Sequence, residues 1–253
     1  DARFQPQRIA ADIAACLGFY SRLPVARLHL PEVKFAEAQW AAPIAGAVIG
    51  ALAGAAYGLT TWLSLPPMLA AALTLGFVLL VTGSLHEDGV ADVADAFGGG
   101  HTRERKLEIL KDSRNGTFGV VALVMTLLAR WAAMASIGGP WPAFVALIGA
   151  HAASRALLPA MMNLVPPARP TGLAAGIGKV PGNEMLVALA LGMAALLPLG
   201  AGAAIASVAC LAILFLVMKR LTERQIGGQT GDVLGALQQG GEIAALFVAA
   251  AYF

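Results

Sequence analysis

The 34 residues from Met185 to Met218, MLVALALGMAALLPLGAGAAIASVACLAILFLVM, contain no charged side chain. A helix needs about 20 apolar residues to cross the hydrocarbon core of a bilayer, so one helix of this length would overshoot it. Pro198-Leu199-Gly200 lies near the middle of the stretch and is typical of a tight turn. The stretch therefore predicts two membrane spans joined by that turn.

Five further apolar stretches extend this interpretation to the rest of the chain. They are 41–63, 66–84, 117–137, 141–162 and 233–253. The last is the most polar, because it includes Gln238, Gln239 and Glu242. We expect an all-α, polytopic membrane bundle of about seven spans, or six if the last stretch only dips into the bilayer. Residues 1–253 are expected to form one transmembrane domain.

The composition excludes several classes of protein. Hydrophobic residues make up 58% of the chain and charged residues 13%, whereas soluble domains carry about 25% charge. The formal net charge of +2, without a dense basic run, argues against nucleic acid as a partner. Cys16 and Cys210 lie far apart in apolar surroundings, which predicts packing rather than a disulfide framework or a zinc site.

The positive charges predict how the chain is oriented. If the seven spans weave through the bilayer, 15 of the 17 Lys and Arg residues fall in segments 1–40, 85–116, 163–184 and 219–232, which share one side. Positively charged loops stay in the cytoplasm. We therefore expect a multi-pass protein of the cytoplasmic (inner) membrane with a charged cytoplasmic face. On that face, 1–40 forms an interfacial segment and 85–116 an acidic loop with a surface helix.

Four carboxylates follow the second predicted span within nine residues. On a helix, Asp88, Asp92 and Asp95 share one face, which we call the acidic stripe, and Glu87 lies about 100° from it. Three like charges on one face repel each other unless a cation lies between them. Oxygen ligands of this kind suit Mg²⁺, which commonly bridges carboxylates to substrate phosphates. The alternative is a solvated acidic surface where the chain leaves the membrane.

A cationic segment follows, from His101 to Gly119. Thr102 is expected to cap a short helix that Gly116 ends, with Leu107 and Leu110 facing the bilayer surface. Positive side chains beside a Mg²⁺ site stabilise charge on diphosphate oxygens. The candidates in the loop are Lys111, Asp112, Arg114 and Asn115.

Polar residues inside or beside the apolar stretches are further candidates. Glu242 is costly in a membrane span, Arg155 lies toward the charged end of its span, and Asp232 follows a glycine-rich loop. We expect these three side chains to contact substrate, and Arg130 to extend to the interface instead. Glycines every fourth residue, at 46, 50, 54 and 58, predict close helix packing.

Four motifs, in order along the chain, resemble the cobalamin synthase (adenosylcobinamide-GDP ribazoletransferase) family. They are FYSRLPV at 19–25, LHEDGVADVAD at 85–95, RKLEILKDSRNGTFG at 105–119 and GGQTGDVLGA at 227–236. Glu87 and Asn115 are mild departures from the family pattern, and both leave the acidic stripe intact.

The resemblance implies a Mg²⁺-dependent transfer that completes coenzyme B12. A ribose hydroxyl of α-ribazole, or of its 5′-phosphate, attacks the corrinoid-arm phosphorus of adenosylcobinamide-GDP, and GMP leaves. We expect Asp88, Asp92 and Asp95 to hold the metal, with Glu87 near it and Asp112 or Asp232 in support. Asp95 or His86 would take the hydroxyl proton. Substrate contacts are expected from Lys111, Arg114, Asn115, Arg155, Asp232 and Glu242.

Other interpretations remain open at this stage. A CDP-alcohol phosphotransferase-like enzyme or a UbiA-like prenyltransferase also places Asp clusters and Mg²⁺ at a membrane face. A transporter would carry polar residues through the bilayer midplane on several spans, and a structural subunit would give no reason for the acidic stripe. The oligomeric state is also open, a homo-oligomer included.

Overall fold

A computed structural model describes residues 5–112 and 114–253. Its helices are α1 (Pro6–Tyr20), α2 (Phe35–Ala38), α3 (Ala42–Trp62), α4 (Pro67–Thr82), α5 (Leu85–Gly99), α6 (Arg103–Ile109), α7 (Thr117–Ser136), α8 (Pro140–Leu164), α9 (Leu173–Ile177), α10 (Gly182–Ala194), α11 (Ala201–Ile226) and α12 (Gly231–Tyr252). No strand occurs in the described ranges, where one isolated bridge joins Pro167 and Gln229. The predicted all-α class is confirmed.

The turn predicted at Pro198 is confirmed. Helix α10 ends at Ala194, a 3-10 turn covers Leu197–Leu199, and α11 begins at Ala201. Gly200 between them has a φ of 87°, a left-handed conformation that glycine adopts without steric cost. The uncharged stretch is therefore two helices that reverse direction at one turn.

Six helical segments in the described chain are long and apolar enough to cross a membrane. They are Phe35–Trp62, Thr117–Ser136, Pro140–Leu164, Gly182–Leu199, Ala201–Ile226 and Gly231–Tyr252. The last segment, α12, has 22 residues and is itself long and apolar enough to cross the membrane. The alternative in which the last stretch only dips into the bilayer is therefore not required.

The predicted span at 66–84 is the one that differs. Helix α4 has only 16 residues and is too short to cross a membrane by itself. Together with α5 it is long and apolar enough, but the two helices are bent by 91° from each other. Gly83 and Ser84 both adopt positive φ at the break, 65° and 56°, which interrupts the helical hydrogen bonds. The second predicted span is therefore a bent pair of helices in the structure instead of one straight helix.

Contacts at the two ends of the bundle show that this pair crosses it. Trp131, near the end of α7, donates from Nε1 to the carbonyl of Met68 at the start of α4 (2.8 Å). Asp95 of α5 accepts a hydrogen bond from Gly116 N, just before α7 begins. Since α7 is a full span, α4 begins at one end of the bundle and α5 finishes at the other. We take the spanning segment to end within the first turns of α5, so that Asp92 and Asp95 lie outside it.

Helix α8 is at the centre, and the glycine pattern of α3 explains how closely the two pack. The most apolar 18 residues of α8 are 83% buried inside the protein, whereas those of α7 and of α11 are 22% buried. The apolar side chains of α7 and α11 are therefore left to face lipid. A Cβ at Gly46, Gly50 or Gly54 would overlap the backbone of α8 near His151, Leu147 and Phe144, respectively. The predicted packing role is confirmed for these glycines, while Gly58 has no neighbour in reach.

Helix α6 differs from the predicted surface helix. The Thr102 cap is confirmed, since its side chain accepts from Arg105 N, but the helix ends at Ile109 instead of at Gly116. Leu110 is 4% exposed, in a small apolar cluster within the protein. Arg103 fixes this position by donating to the carbonyls of Ile226 (2.8 Å) and Ala168 (2.9 Å). The expectation that Leu107 and Leu110 face the bilayer is therefore wrong.

Candidate active site

The acidic stripe lies along α5, with a different environment at each residue. Asp88 is exposed, Asp92 is half-buried and Asp95 is buried. The Asp95 carboxylate accepts from Gly116 N (2.6 Å) and Gly119 N (2.8 Å). Both amides belong to the start of α7, where unpaired N–H groups and the helix dipole favour an anion. Asp95 therefore fixes α7 to α5, and its predicted part in metal binding or proton transfer has not been tested.

Asp92 lies among the other carboxylates. The pKa of Asp92 is raised to about 7, first by burial and then by the negative charges of Asp88, Asp232, Asp95 and Asp112, in that order of size. These groups come from α5, the loop before α7 and the first turn of α12. The structure thus brings together five carboxylates that the sequence had offered as site residues, and their mutual repulsion favours a bound cation.

The donor set fits Mg²⁺ in a particular way. Across residues 5–112 and 114–253, no three His, Cys, Asp or Glu side chains converge as a ready-made metal cage. Mg²⁺ seldom uses such a cage, because it keeps several waters and binds through one or two carboxylates plus substrate phosphates. The carboxylates of Asp88 and Asp92 accept no hydrogen bond and form no ion pair within the described residues. They suit that mode better than Asp95, whose two oxygens already accept amides.

A cavity of about 120 Å³ opens beside the stripe between α1, α5, α8, α9 and α12. Its polar lining is Asp88, His86, Asp232 and Arg169, and Tyr20 is among its aromatic lining. Helices α5 and α12 approach each other closely here, because a Cβ on Gly89 would lie 2.6 Å from the carbonyl oxygen of Asp232. The predicted site residues His86, Asp88 and Asp232 therefore share one opening.

The glycine-rich loop before α12 sets the position of Asp232. Thr230 caps the helix by accepting from Val233 N (3.3 Å), and its hydroxyl also donates to Asp232 Oδ2 (3.1 Å). Gln229 exchanges backbone hydrogen bonds with Pro166 and Ala168 (2.9 and 2.8 Å), which ties this loop to the segment after α8. Asp232 is therefore held at the mouth of the cavity by a capped helix start.

The loop that precedes α7 is open to solvent. Arg114 donates from Nη2 to Asp112 Oδ2 (2.8 Å) and from Nε and its backbone N to Asp112 Oδ1. These hydrogen bonds, the side-chain ones first, lower the pKa of Asp112 to about 2. Lys111 and Asn115 are exposed, and Ser113 lies outside the described residues. The loop thus offers cations beside the stripe, and their predicted contacts with a phosphate have not been tested.

Glu87, Arg155 and Glu242, which the sequence offered as site residues, lie inside the bundle and do not line the cavity. Arg130 Nη1 contacts Glu87 Oε1 at 2.6 Å, and its Nη2 contacts Glu242 Oε1 at 2.9 Å. Glu242 Oε2 lies 3.1 Å from His151 Nδ1, and Arg155 Nη1 donates to the His151 carbonyl (3.2 Å). We call this set, together with Gln238 and Gln239, the buried polar network.

The network changes the interpretation of its members. Arg130 is 2% exposed, so the expectation that it extends to the membrane interface is wrong. Its charge is satisfied by two glutamates inside the protein, which costs less than leaving a guanidinium in hydrocarbon. Glu87 and Glu242 both pair with Arg130, and Arg155 contacts His151. Their predicted roles in metal or substrate binding have not been tested.

Sequence reasoning did not include Tyr20 among its candidates, and it gave Arg169 only as a phosphate contact from a loop. Arg169 lines the cavity, and its Nη1 has no hydrogen-bond partner. Tyr20 is 2% exposed, donates to Gln39 Oε1 (2.8 Å) and stacks on His86 with 5.8 Å between ring centroids. The FYSRLPV motif was the available signal for Tyr20, but the spacing of residues in the sequence does not predict that α1 packs against α5.

Comparison with known proteins decides the family. The sequence profile described as cobalamin-5-phosphate synthase (CobS) matches residues 12–250. The chain belongs to this family. A protein of Bradyrhizobium diazoefficiens named adenosylcobinamide-GDP ribazoletransferase is 48% identical over 97% of this chain and 95% of its own length. Proteins with the same name from Mesorhizobium japonicum and Brucella ovis are 47% and 39% identical, each over 96% of this chain and 94% and 97% of their own lengths. No solved structure matches the chain.

The family result agrees with the motif analysis at full length. The matched region of the cobalamin-5-phosphate synthase family includes α5, the loop before α7 and the start of α12, which together carry the five carboxylates. The resemblance expected from four motifs is therefore confirmed, and the other kinds of membrane transferase are not favoured.

Proposed function

We propose that the protein transfers the corrinoid-arm phosphate of adenosylcobinamide-GDP to α-ribazole or its 5′-phosphate. The products are adenosylcobalamin or its 5′-phosphate, and GMP. The observation that carries this proposal is the full-length match to relatives that bear the name of this activity. The clustering of the carboxylates beside one cavity supports the same reaction type.

Asp88 and Asp92 are the residues that would hold Mg²⁺. Both belong to α5, one turn apart, and the repulsion around Asp92 favours a cation there. Bound at this place, the ion would neutralise charge on the non-bridging oxygens of the substrate diphosphate. Asp95 supports the site through α7, and Asp112 adds negative charge from the exposed loop.

The remaining chemistry is displacement at phosphorus. The ribose hydroxyl oxygen forms a bond to the corrinoid-side phosphorus while the bond from that phosphorus to the bridging oxygen of GMP breaks. Such a transfer depends on in-line placement and charge stabilisation more than on a covalent intermediate. Asp232 takes the hydroxyl proton in this proposal, since its carboxylate lines the cavity and is held by Thr230.

Cationic side chains around the mouth would bind the phosphates. Arg169 lines the cavity with one unpartnered Nη. Arg114 is exposed and pairs with Asp112 in the absence of substrate, so it can exchange that partner for a phosphate at little cost. Arg169 and Arg114 are therefore the phosphate ligands of this proposal, while Arg155 lies deeper in the buried polar network.

We place this site at the cytoplasmic face of the inner membrane. The described parts of the segments that carry 15 of the 17 Lys and Arg residues meet at the end of the bundle where α12 begins. Positively charged loops remain in the cytoplasm. Nucleotide-activated, water-soluble substrates would meet the enzyme on that side.

Product analysis tests the function directly. Purified protein in detergent is incubated with Mg²⁺, adenosylcobinamide-GDP and α-ribazole, and the corrinoids and nucleotides are separated by chromatography. We expect equal amounts of adenosylcobalamin and GMP, and no corrinoid product when α-ribazole is omitted. Adenosylcobinamide-GDP left unchanged, while a CDP-alcohol or a prenyl diphosphate is consumed, would contradict the proposal.

A further inference from the structure

The cavity beside the acidic stripe has walls that are mainly carbon. Its deep side is formed by Leu158 and Met162 of α8, which are 1% and 3% exposed. Tyr20 adds an aromatic ring whose hydroxyl is already bonded to Gln39. The polar side chains Asp88, Asp232 and Arg169 come from the helix starts and the loop at the opening. The cavity therefore suits a flat apolar group attached to a polar one.

One buried polar atom in this lining has no partner. His86 is 4% exposed and stacks against Tyr20, and its Nε2 makes no hydrogen bond. Buried polar groups are nearly always hydrogen-bonded, so an unpartnered nitrogen on a side chain that lines the cavity indicates a partner supplied from outside the protein. As the Nε2–H tautomer, neutral His86 donates one hydrogen bond.

The chemical groups of the proposed substrates differ in how well they fit the apolar lining of this cavity. A corrin ring carries amide side arms around its edge, and the carbon walls would leave those amides unpaired. Guanine presents donors and acceptors around most of its perimeter, and the carbon walls would leave most of them unpaired. The dimethylbenzimidazole base of α-ribazole presents carbon and two methyl groups, with a single free ring nitrogen that accepts one hydrogen bond.

We propose that this cavity receives the benzimidazole base of α-ribazole, with His86 Nε2–H donating to its free ring nitrogen. The inference rests on the proposed function and adds the orientation of the acceptor substrate. With the base inside, the ribose lies at the opening next to Asp88 and Asp232. Arg169 then faces the sugar, where its free Nη can bind the phosphate of α-ribazole 5′-phosphate. His86 is thereby assigned to binding the base.

A paired change in protein and substrate tests the hydrogen bond. The variant His86→Phe keeps an aromatic ring but removes the donor, and the riboside of dimethylindole replaces the ring nitrogen of the base by a C–H. We expect the wild-type protein to have a KM at least tenfold lower for α-ribazole than for the indole riboside. His86→Phe should lose that preference, while its KM for adenosylcobinamide-GDP stays within twofold. Equal discrimination by the two proteins would overturn the proposal.

A second pair of variants tests the shape of the cavity independently of His86. Leu158→Phe fills the deep wall, and Leu164→Phe, on an exposed position of the same helix, is the matched control. We expect Leu158→Phe to raise the KM for α-ribazole at least tenfold and to prefer the smaller benzimidazole riboside, which lacks the two methyl groups. An increase confined to the KM for adenosylcobinamide-GDP would place guanine in the cavity and overturn the proposal.

Direct binding separates this inference from the proposed reaction. Calorimetric titration of α-ribazole into wild-type protein and His86→Phe needs no turnover. If wild-type protein forms no corrinoid product but binds α-ribazole tenfold more tightly than His86→Phe does, the proposed function fails and the cavity assignment stands. Equal affinity of the two proteins for α-ribazole would overturn the cavity assignment whatever the activity.

Discussion

At the scale of single residues, Asp92 connects the charge of the acidic stripe to pH. Its pKa is raised from 3.8 to about 7 in the folded protein, first by burial and then by neighbouring carboxylates. Between these two values the folded state holds a proton that the unfolded state has released. The unfolding free energy of the metal-free protein therefore falls as pH rises from about 4 to about 7 and loses nothing further from this group above that range.

This linkage gives a prediction for Asp92→Asn. In the presence of EDTA at pH 8, the variant should have a higher melting temperature than the wild-type protein, because it lacks the charge that the fold disfavours. Near pH 4 the two should melt alike, since Asp92 is protonated there. Differential scanning fluorimetry in detergent measures both. Equal melting temperatures of Asp92→Asn and the wild-type protein at pH 8 would contradict the assigned environment of Asp92.

At the scale of helices, the buried polar network holds α5, α7, α8 and α12 together. Arg130 of α7 bridges Glu87 of α5 and Glu242 of α12, and His151 of α8 contacts Glu242. Glu87 and Glu242 lie 43 and 112 positions from Arg130 in the sequence, so residue spacing cannot predict that they pair with it. This is why the sequence offered Arg155 and Glu242 as substrate ligands and Arg130 as an interfacial residue.

Removing the central cation should destabilise the bundle strongly. Arg130→Met leaves two buried glutamates without their partner, which costs about 3–5 kcal/mol of unfolding free energy. The matched control is Arg105→Met, because Arg105 pairs with Glu108 on the exposed surface of α6 and should cost about 1 kcal/mol or less. Denaturant unfolding followed by circular dichroism compares them. Equal stability losses in the two variants would refute a structural role for the network.

At the scale of the whole molecule, hydropathy predicted the helical membrane fold. The turn at Pro198, the glycine face of α3 and the carboxylates on one face of α5 all follow from local periodicity. The bend between α4 and α5 was missed, because Gly83 and Ser84 adopt a left-handed backbone that only their tertiary surroundings specify. The same holds for Tyr20 and Arg169, which tertiary packing brings to the cavity.

The predicted orientation can be measured with single cysteines. In a Cys210→Ala background, which leaves the buried Cys16, Glu104→Cys on α6 and Leu63→Cys after α3 place thiols at opposite ends of the bundle. A membrane-impermeant maleimide should label Leu63→Cys in spheroplasts and Glu104→Cys only in inverted vesicles. The reverse pattern would place the site on the periplasmic side and contradict the proposed topology.

The proposed reaction depends most on the acidic stripe binding a divalent cation together with the substrate diphosphate. The most direct test is GMP release as a function of Mg²⁺ concentration for wild-type protein, Asp92→Asn and the exposed control Glu108→Gln. We predict that Asp92→Asn loses about 10²–10³-fold in kcat or needs far more Mg²⁺, as expected when an electrostatic stabiliser is lost, while Glu108→Gln behaves as wild type. Wild-type turnover by folded Asp92→Asn, with an unchanged dependence on Mg²⁺, would contradict the account.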